Sequence, residues 1–227
     1  MNFIGVDLAW KKGGETAIAV LNSRGSFTSH GYEWRDADIA SFVDGYTENG
    51  CLVGVDAPLV VPNDTGRRRC EDELQSMGIP SYPANRSWLQ KAFGAVRGET
   101  LLAELQKRGI RLVDSLPVAP GFKGVMEVYP HSTLKTLLPE IPAYKKGPKA
   151  KRLREVMRLL SLLEGLDPPL QLPVELLRGE TGSLKSVADL IDAGVAAYTV
   201  YICYKDPGRC LILGNKREGF VLLPRKP

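Results

Sequence analysis

Apolar positions along this chain come first in short continuous runs and later at three- and four-residue spacing. The first rhythm predicts strands and the second helices. Residues 3–9 form a short apolar, partly β-branched run that reads as a strand, followed by turn chemistry in Lys11-Lys-Gly-Gly-Glu. Residues 16–21 and 27–34 read as second and third strands, joined through Asn22-Ser-Arg-Gly-Ser. Connections this short and glycine-containing predict an antiparallel meander. Residues 36–46 read as a helix, with Asp36 as its N-cap and Ile39, Phe42 and Val43 as its buried stripe. Residues 51–55 are apolar on both faces, the pattern of a buried parallel strand.

Pro58 and Pro62 end that strand. From about residue 63 to 111 the pattern is helical but interrupted by Gly78, Pro80 and Pro83, and it reads as a helical insertion capping the sheet edge. Trp88 and Phe93 there fit packing of the cap better than stacking on bases. Residues 125–129 read as a strand containing Glu127, 131–138 as a short helix, and 149–164 as an amphipathic helix with Leu153, Val156, Met157, Leu160 and Leu163 on one face. A further helix is expected over about 184–204, and 211–213 with 220–223 close the chain as an edge strand or hairpin. The expectation is one α/β domain over 1–227, with a mixed five-stranded sheet, antiparallel meander plus parallel strands, flanked by helices.

The last long helix changes the picture. Asp189 and Asp192 are three residues apart, so they share a face. That face is otherwise apolar, and paired carboxylates there are costly to desolvate without a partner. Two strands offer company: one ends at Asp7, the other at Asp56. A strand reached through a helix lies parallel to its neighbour after a right-handed crossover. Pairing these two strands places Asp7 and Asp56 at adjacent carboxyl ends, the edge where open α/β sheets bind ligands. Four acids converging there call for a divalent cation, Mg²⁺ or Mn²⁺, since hard cations prefer carboxylate oxygens.

Composition narrows the alternatives. With only two histidines, His30 and His131, a His-rich metal site is excluded by count. The four cysteines lack C-x-x-C spacing, so neither zinc nor a disulfide framework is expected; Cys51 and Cys203 read as small core residues. No apolar run reaches about 18 residues and no signal-peptide pattern opens the chain, so no membrane is expected and the cytoplasm is the expected compartment. The net charge of +4 is mild, but Arg67, Lys145, Lys146 and Arg152 lie in basic clusters suited to a phosphate backbone.

The motifs Gly5-Val-Asp-Leu-Ala, Gly54-Val-Asp-Ala-Pro, Arg67-x-x-Cys70-Glu-Asp, Glu127-Val-Tyr-Pro and Asp189-x-x-Asp-Ala, in this order, resemble the predicted RNase H-like nuclease family, domain of unknown function 429. The resemblance implies a ribonuclease H-like fold. Holliday-junction resolvases of that fold are similar in carrying an acid on the first strand, one on the fourth, and an acid-x-x-acid pair on the last helix. Matched so, Asp7, Asp56, Asp189 and Asp192 bind metal, and Glu127 is an auxiliary ligand. One departure is Asp56, where resolvases carry Glu. The expected activity is divalent-metal-dependent cleavage of phosphodiesters in DNA or RNA. Two other classes remain open: an ATP-binding phosphotransferase, because Asp7 followed by Gly13-Gly-Glu-Thr resembles the phosphate hairpin of actin-like and sugar kinases, and a non-catalytic nucleic-acid-binding module. Competing structural readings are a capping box at Ser186-x-x-Asp189 and a salt bridge for Glu127.

Overall fold

The computed structural model describes residues 1–173 and 183–226. The meander expected at the N-terminus forms: β1 (Asn2–Asp7), β2 (Thr16–Leu21) and β3 (Phe27–Glu33) pair antiparallel in sequence. Helix α1 (Asp36–Asp44) then crosses to β4 (Cys51–Val55), which pairs parallel with β1 from Asn2↔Cys51 to Val6↔Val55. Arg35, not Asp36, occupies the α1 N-cap; Asp36 opens the helix and pairs with Arg97 instead.

The insertion contains α2 (Arg69–Ser76), α3 (Arg86–Phe93) and α4 (Arg97–Lys107). Helices α3 and α4 are separate because α3 stops at Gly94, which is in the left-handed region. Next come β5 (Arg111–Leu112) and β6 (Lys123–Glu127), both parallel to their neighbours. The sheet therefore has six strands in the order β3-β2-β1-β4-β6-β5, not five. The extra strand is two residues long, too short to show any alternation. Helices α5 (Pro130–Leu137), α6 (Lys149–Glu164) and α7 (Leu184–Lys205) follow, and β7 (Cys210–Asn215) with β8 (Gly219–Pro224) forms a separate antiparallel hairpin.

The cysteine expectation is corrected. Cys203, at the end of α7, is bonded to Cys210, at the start of β7, while Cys51 and Cys70 are free and buried. A spacing of seven residues across a helix end carries no recognisable motif, so the pair was invisible in the sequence.

Side-chain alternation fixes what faces α7. Phe3, Gly5 and Asp7 of β1 lie on one face, and so do Leu52 and Gly54 of β4 with Asp56 just beyond it. Phe3 meets Tyr201 edge-on at 5.2 Å near the far end of α7, so the helix runs antiparallel to β1. A Cβ on Gly5 would fall inside the contact distance of the Ala193 carbonyl and the Ala197 amide, and one on Gly54 would lie 2.7 Å from the Ala196 carbonyl. Helix and sheet thus touch backbone to backbone. An 18-residue window of α7 is apolar and long enough to cross a membrane, but 94% of it is buried against the other elements. Its apolarity serves the core.

Gly5→Ala is expected to lower stability by about 3 kcal/mol, the upper range of overpacking, measured by urea unfolding. A loss below about 1 kcal/mol would contradict the backbone contact.

Candidate metal centre

Asp7 is the last residue of β1, and Asp56 follows β4 directly. The Asp56 amide donates to the Val6 carbonyl at 2.8 Å, which extends the parallel ladder by one rung and sets the two carboxyl groups side by side. Asp192 precedes Ala193, the residue against Gly5, so the same contact that docks α7 delivers its carboxylate to the strand ends. One carboxylate oxygen each from Asp7, Asp56 and Asp192 lies within 4.8 Å of the other two. Asp7 and Asp56 are half-buried and Asp192 is buried.

Three acids this close disfavour ionisation. Burial, then the charges of Asp192 and Asp56, push the Asp7 carboxyl well above the usual carboxylate range. Burial and Asp192 push Asp56 up to about 8, although Lys145 opposes them. Asp192 is raised by burial, and held down by its partners Lys145 and Tyr144. The Tyr144 hydroxyl donates to Asp192 Oδ1 at 2.5 Å, and the Lys145 ammonium pairs with Oδ2. Burial lowers the Lys145 pKa, but Asp192, Asp7 and Asp56 outweigh it and the ammonium holds its proton. Among the described residues, Lys145 is the cation paired directly within the three-carboxylate group.

The donor set fits a divalent ion. Two oxygens on one hard cation, each at roughly 2.0–2.6 Å, stand no more than about 5 Å apart, and the observed spread is within 4.8 Å. An added positive charge also relieves the repulsion that raises Asp7 and Asp56.

The other sequence candidates are placed differently. Asp189 lines the same cleft one turn earlier on α7, paired with Lys185, and lies outside the three-carboxylate group. Glu127 does not turn to the triad. Its oxygens accept Arg68 Nη2 at 2.6 Å, Arg68 Nη1 at 2.9 Å and the Leu59 amide at 2.9 Å. Arg68 also binds Glu71 at 2.8 Å, and all three side chains are buried. Glu127 thus forms the salt bridge of its structural reading, with Arg68 on both of its oxygens. Ser183, not Ser186, caps α7, so Asp189 is not part of a capping box.

Of the four basic candidates, Lys145 alone lines the acidic cleft, where Lys11 and Lys185 join it. Arg67 reaches the Ser81 carbonyl at 2.8 Å and pairs with Asp72. Lys146 is exposed next to Lys145, and Arg152 lies in the first turn of α6. Tyr144 and Arg97 were not foreseen. Arg97 Nη1 binds the carbonyls of Ala9, Lys11 and Gly14, and Nη2 that of Trp34, which clamps the hairpin beside Asp7. Only the position of Arg97 within the apolar cap hinted at a buried role.

The chain belongs to the family described as Protein of unknown function (DUF429), which it matches over residues 5–218. No curated protein and no solved structure matches it.

Two outcomes follow from the charge distribution. Folded Asp56 keeps its proton to about pH 8 while the unfolded chain loses it near the ordinary value of 3.8. That stabilisation is complete below the unfolded value and is lost as pH rises through the folded one. The thermal midpoint of the metal-free protein should fall between about pH 5 and pH 8, and fall less in Asp56→Asn; parallel profiles would contradict the shift. Glu127→Gln should cost roughly 3 kcal/mol by taking one of its two carboxylate partners from buried Arg68, yet leave calorimetric Mn²⁺ affinity unchanged, whereas loss of Mn²⁺ binding would make Glu127 a ligand.

Proposed function

We propose that the protein is a divalent-metal-dependent phosphodiesterase acting on nucleic acid, built on a ribonuclease H-like fold. The observation that carries this reading is the meeting of Asp7, Asp56 and Asp192 within 4.8 Å at the carboxyl ends of β1 and β4. The sheet order supports it: an antiparallel meander continues into parallel strands, with acids on the first and fourth strands and on the last long helix.

Asp7, Asp56 and Asp192 would hold Mg²⁺ or Mn²⁺. When bound, such an ion supplies Lewis-acid neutralisation of a phosphoryl oxygen and a water of lowered pKa. The chain's own groups do the rest. Tyr144 fixes the Asp192 carboxylate through Oδ1, so its free rotation does not have to be frozen at each encounter. Lys11, Lys145 and Lys185 line the cleft, where Lys145 pairs with Asp192 and Lys185 with Asp189; a phosphate backbone drawn toward the acids would compete for these ammonium groups. Arg97 holds the Ala9–Gly14 turn, and hence the cleft wall, in place.

The test is cleavage of single- and double-stranded DNA and RNA with Mn²⁺, Mg²⁺ or EDTA. Activity with metal, abolished in Asp7→Asn and reduced about 10-fold in Tyr144→Phe, is the expected result. A folded wild-type protein that binds Mn²⁺ but cleaves none of these, or an undiminished Asp7→Asn, would sink the proposal.

A further inference from the structure

A second opening adjoins the acidic cleft. Its free volume is about 70 Å³, and it shares Asp56 and Trp10 with the acidic cleft. That is several times the roughly 10–15 Å³ needed by one water. Tyr82 and Tyr129 stand on its walls, and Arg68 and Glu127 line it too.

Two of its aromatic residues are more exposed than core packing requires. Tyr82 is 75% exposed and Trp10 is 37% exposed. Neither is without support. Trp10 meets Trp88 edge-on at 5.6 Å and lies 5.3 Å from Phe93, and the Tyr82 ring lies within 12° of parallel to that of Trp88. The cap aromatics therefore brace two rings beside an opening at Asp56. Several polar side chains of this opening are already committed. Arg68 is held by both Glu71 and Glu127, and the Tyr129 hydroxyl donates to the Pro80 carbonyl. The exposed ring faces of Tyr82 and Trp10 therefore offer most of the binding surface, which favours stacking over reading one base from another.

We propose that this opening is a nucleobase subsite, which takes the unpaired base of a nucleotide whose phosphate lies at Asp7, Asp56 and Asp192. The inference rests on the phosphodiesterase reading of those acids and adds a substrate class to it. On the acid side Lys11, Lys145 and Lys185 line the cleft together with Asp7, Glu15, Asp56 and Asp189, so a backbone phosphate would be met there by the ammonium groups and a bound divalent ion together. Within one nucleotide only a sugar separates base from phosphate, and here only a shared wall of Asp56 and Trp10 separates the two cavities. A base inside a duplex has both faces stacked and must be extruded before it can enter, so the subsite selects single-stranded or unstacked nucleotides.

The test is equilibrium binding by anisotropy, with Ca²⁺ and again with EDTA. The probes are a labelled oligothymidylate of about eight nucleotides, an abasic phosphodiester of equal length, and the corresponding duplex. The expected result is that the oligothymidylate binds about 10-fold more tightly than either of the others. Tyr82→Ala removes that preference and Tyr82→Phe keeps it, while oligocytidylate binds within about 3-fold of oligothymidylate. Equal affinity for all three probes, no binding of any, or a preference untouched by Tyr82→Ala would overturn the subsite. Because binding is read without cleavage, the two readings fail separately. Base preference without Mn²⁺-dependent cleavage keeps the subsite and removes the phosphodiesterase, and cleavage without base preference does the reverse.

Discussion

Helix α7 reaches the carboxyl ends of β1 and β4 because two strand positions carry no side chain. At Gly5 and Gly54 the helix backbone rests on the strand backbone, and any Cβ there would collide with carbonyls of residues 193 and 196. Ordinary side chains would lift the helix off the sheet, and the Asp192 carboxylate with it. The approach also fixes rotation, because Asp192, Ala193, Ala196 and Ala197 occupy one face at three- and four-residue spacing. Phe3 against Tyr201 at the other end of the contact leaves no freedom to slide. The three-acid site is a consequence of that backbone contact.

The protein treats its two groups of buried acids in opposite ways. Glu127 and Glu71 share Arg68, and backbone amides of Leu59 and Ala84 complete their hydrogen bonds. That group is finished, and it stiffens the insertion against the sheet. Among the described residues, Asp7, Asp56 and Asp192 have the Lys145 ammonium and the Tyr144 hydroxyl as side-chain partners, and burial with mutual repulsion pushes two of the three carboxyls far up. A group left short of positive charge at an open edge is suited to bind a cation, whereas a saturated one is suited to hold structure. The contrast argues for where chemistry happens more strongly than acidity alone.

Much of this was written locally. The β1 and β4 runs each end in an acid, and the crossover rule makes them parallel neighbours, so the meeting of Asp7 and Asp56 followed from pattern and topology. Asp192 followed from its place on the face of a long apolar helix. What stayed hidden depended on contacts between distant segments. Whether Glu127 faced a metal or an arginine turned on where the loop carrying Arg68 folded, 59 residues away. Asp189 and Asp192 look alike in sequence, yet Lys185 one turn back claims Asp189 while Tyr144 and Lys145, some 48 residues back, claim Asp192. The two-residue β5 and the Cys203–Cys210 bond carry no periodicity or motif at all.

A crystal structure of the Mn²⁺-soaked protein, with anomalous difference density at the manganese edge, tests the account most directly. One strong peak is expected among the carboxylate oxygens of Asp7, Asp56 and Asp192, each at roughly 2.0–2.6 Å from it, with the Lys145 ammonium displaced from Asp192. A map with no peak there and Lys145 still seated on Asp192, or with manganese bound only at other acids, would contradict it.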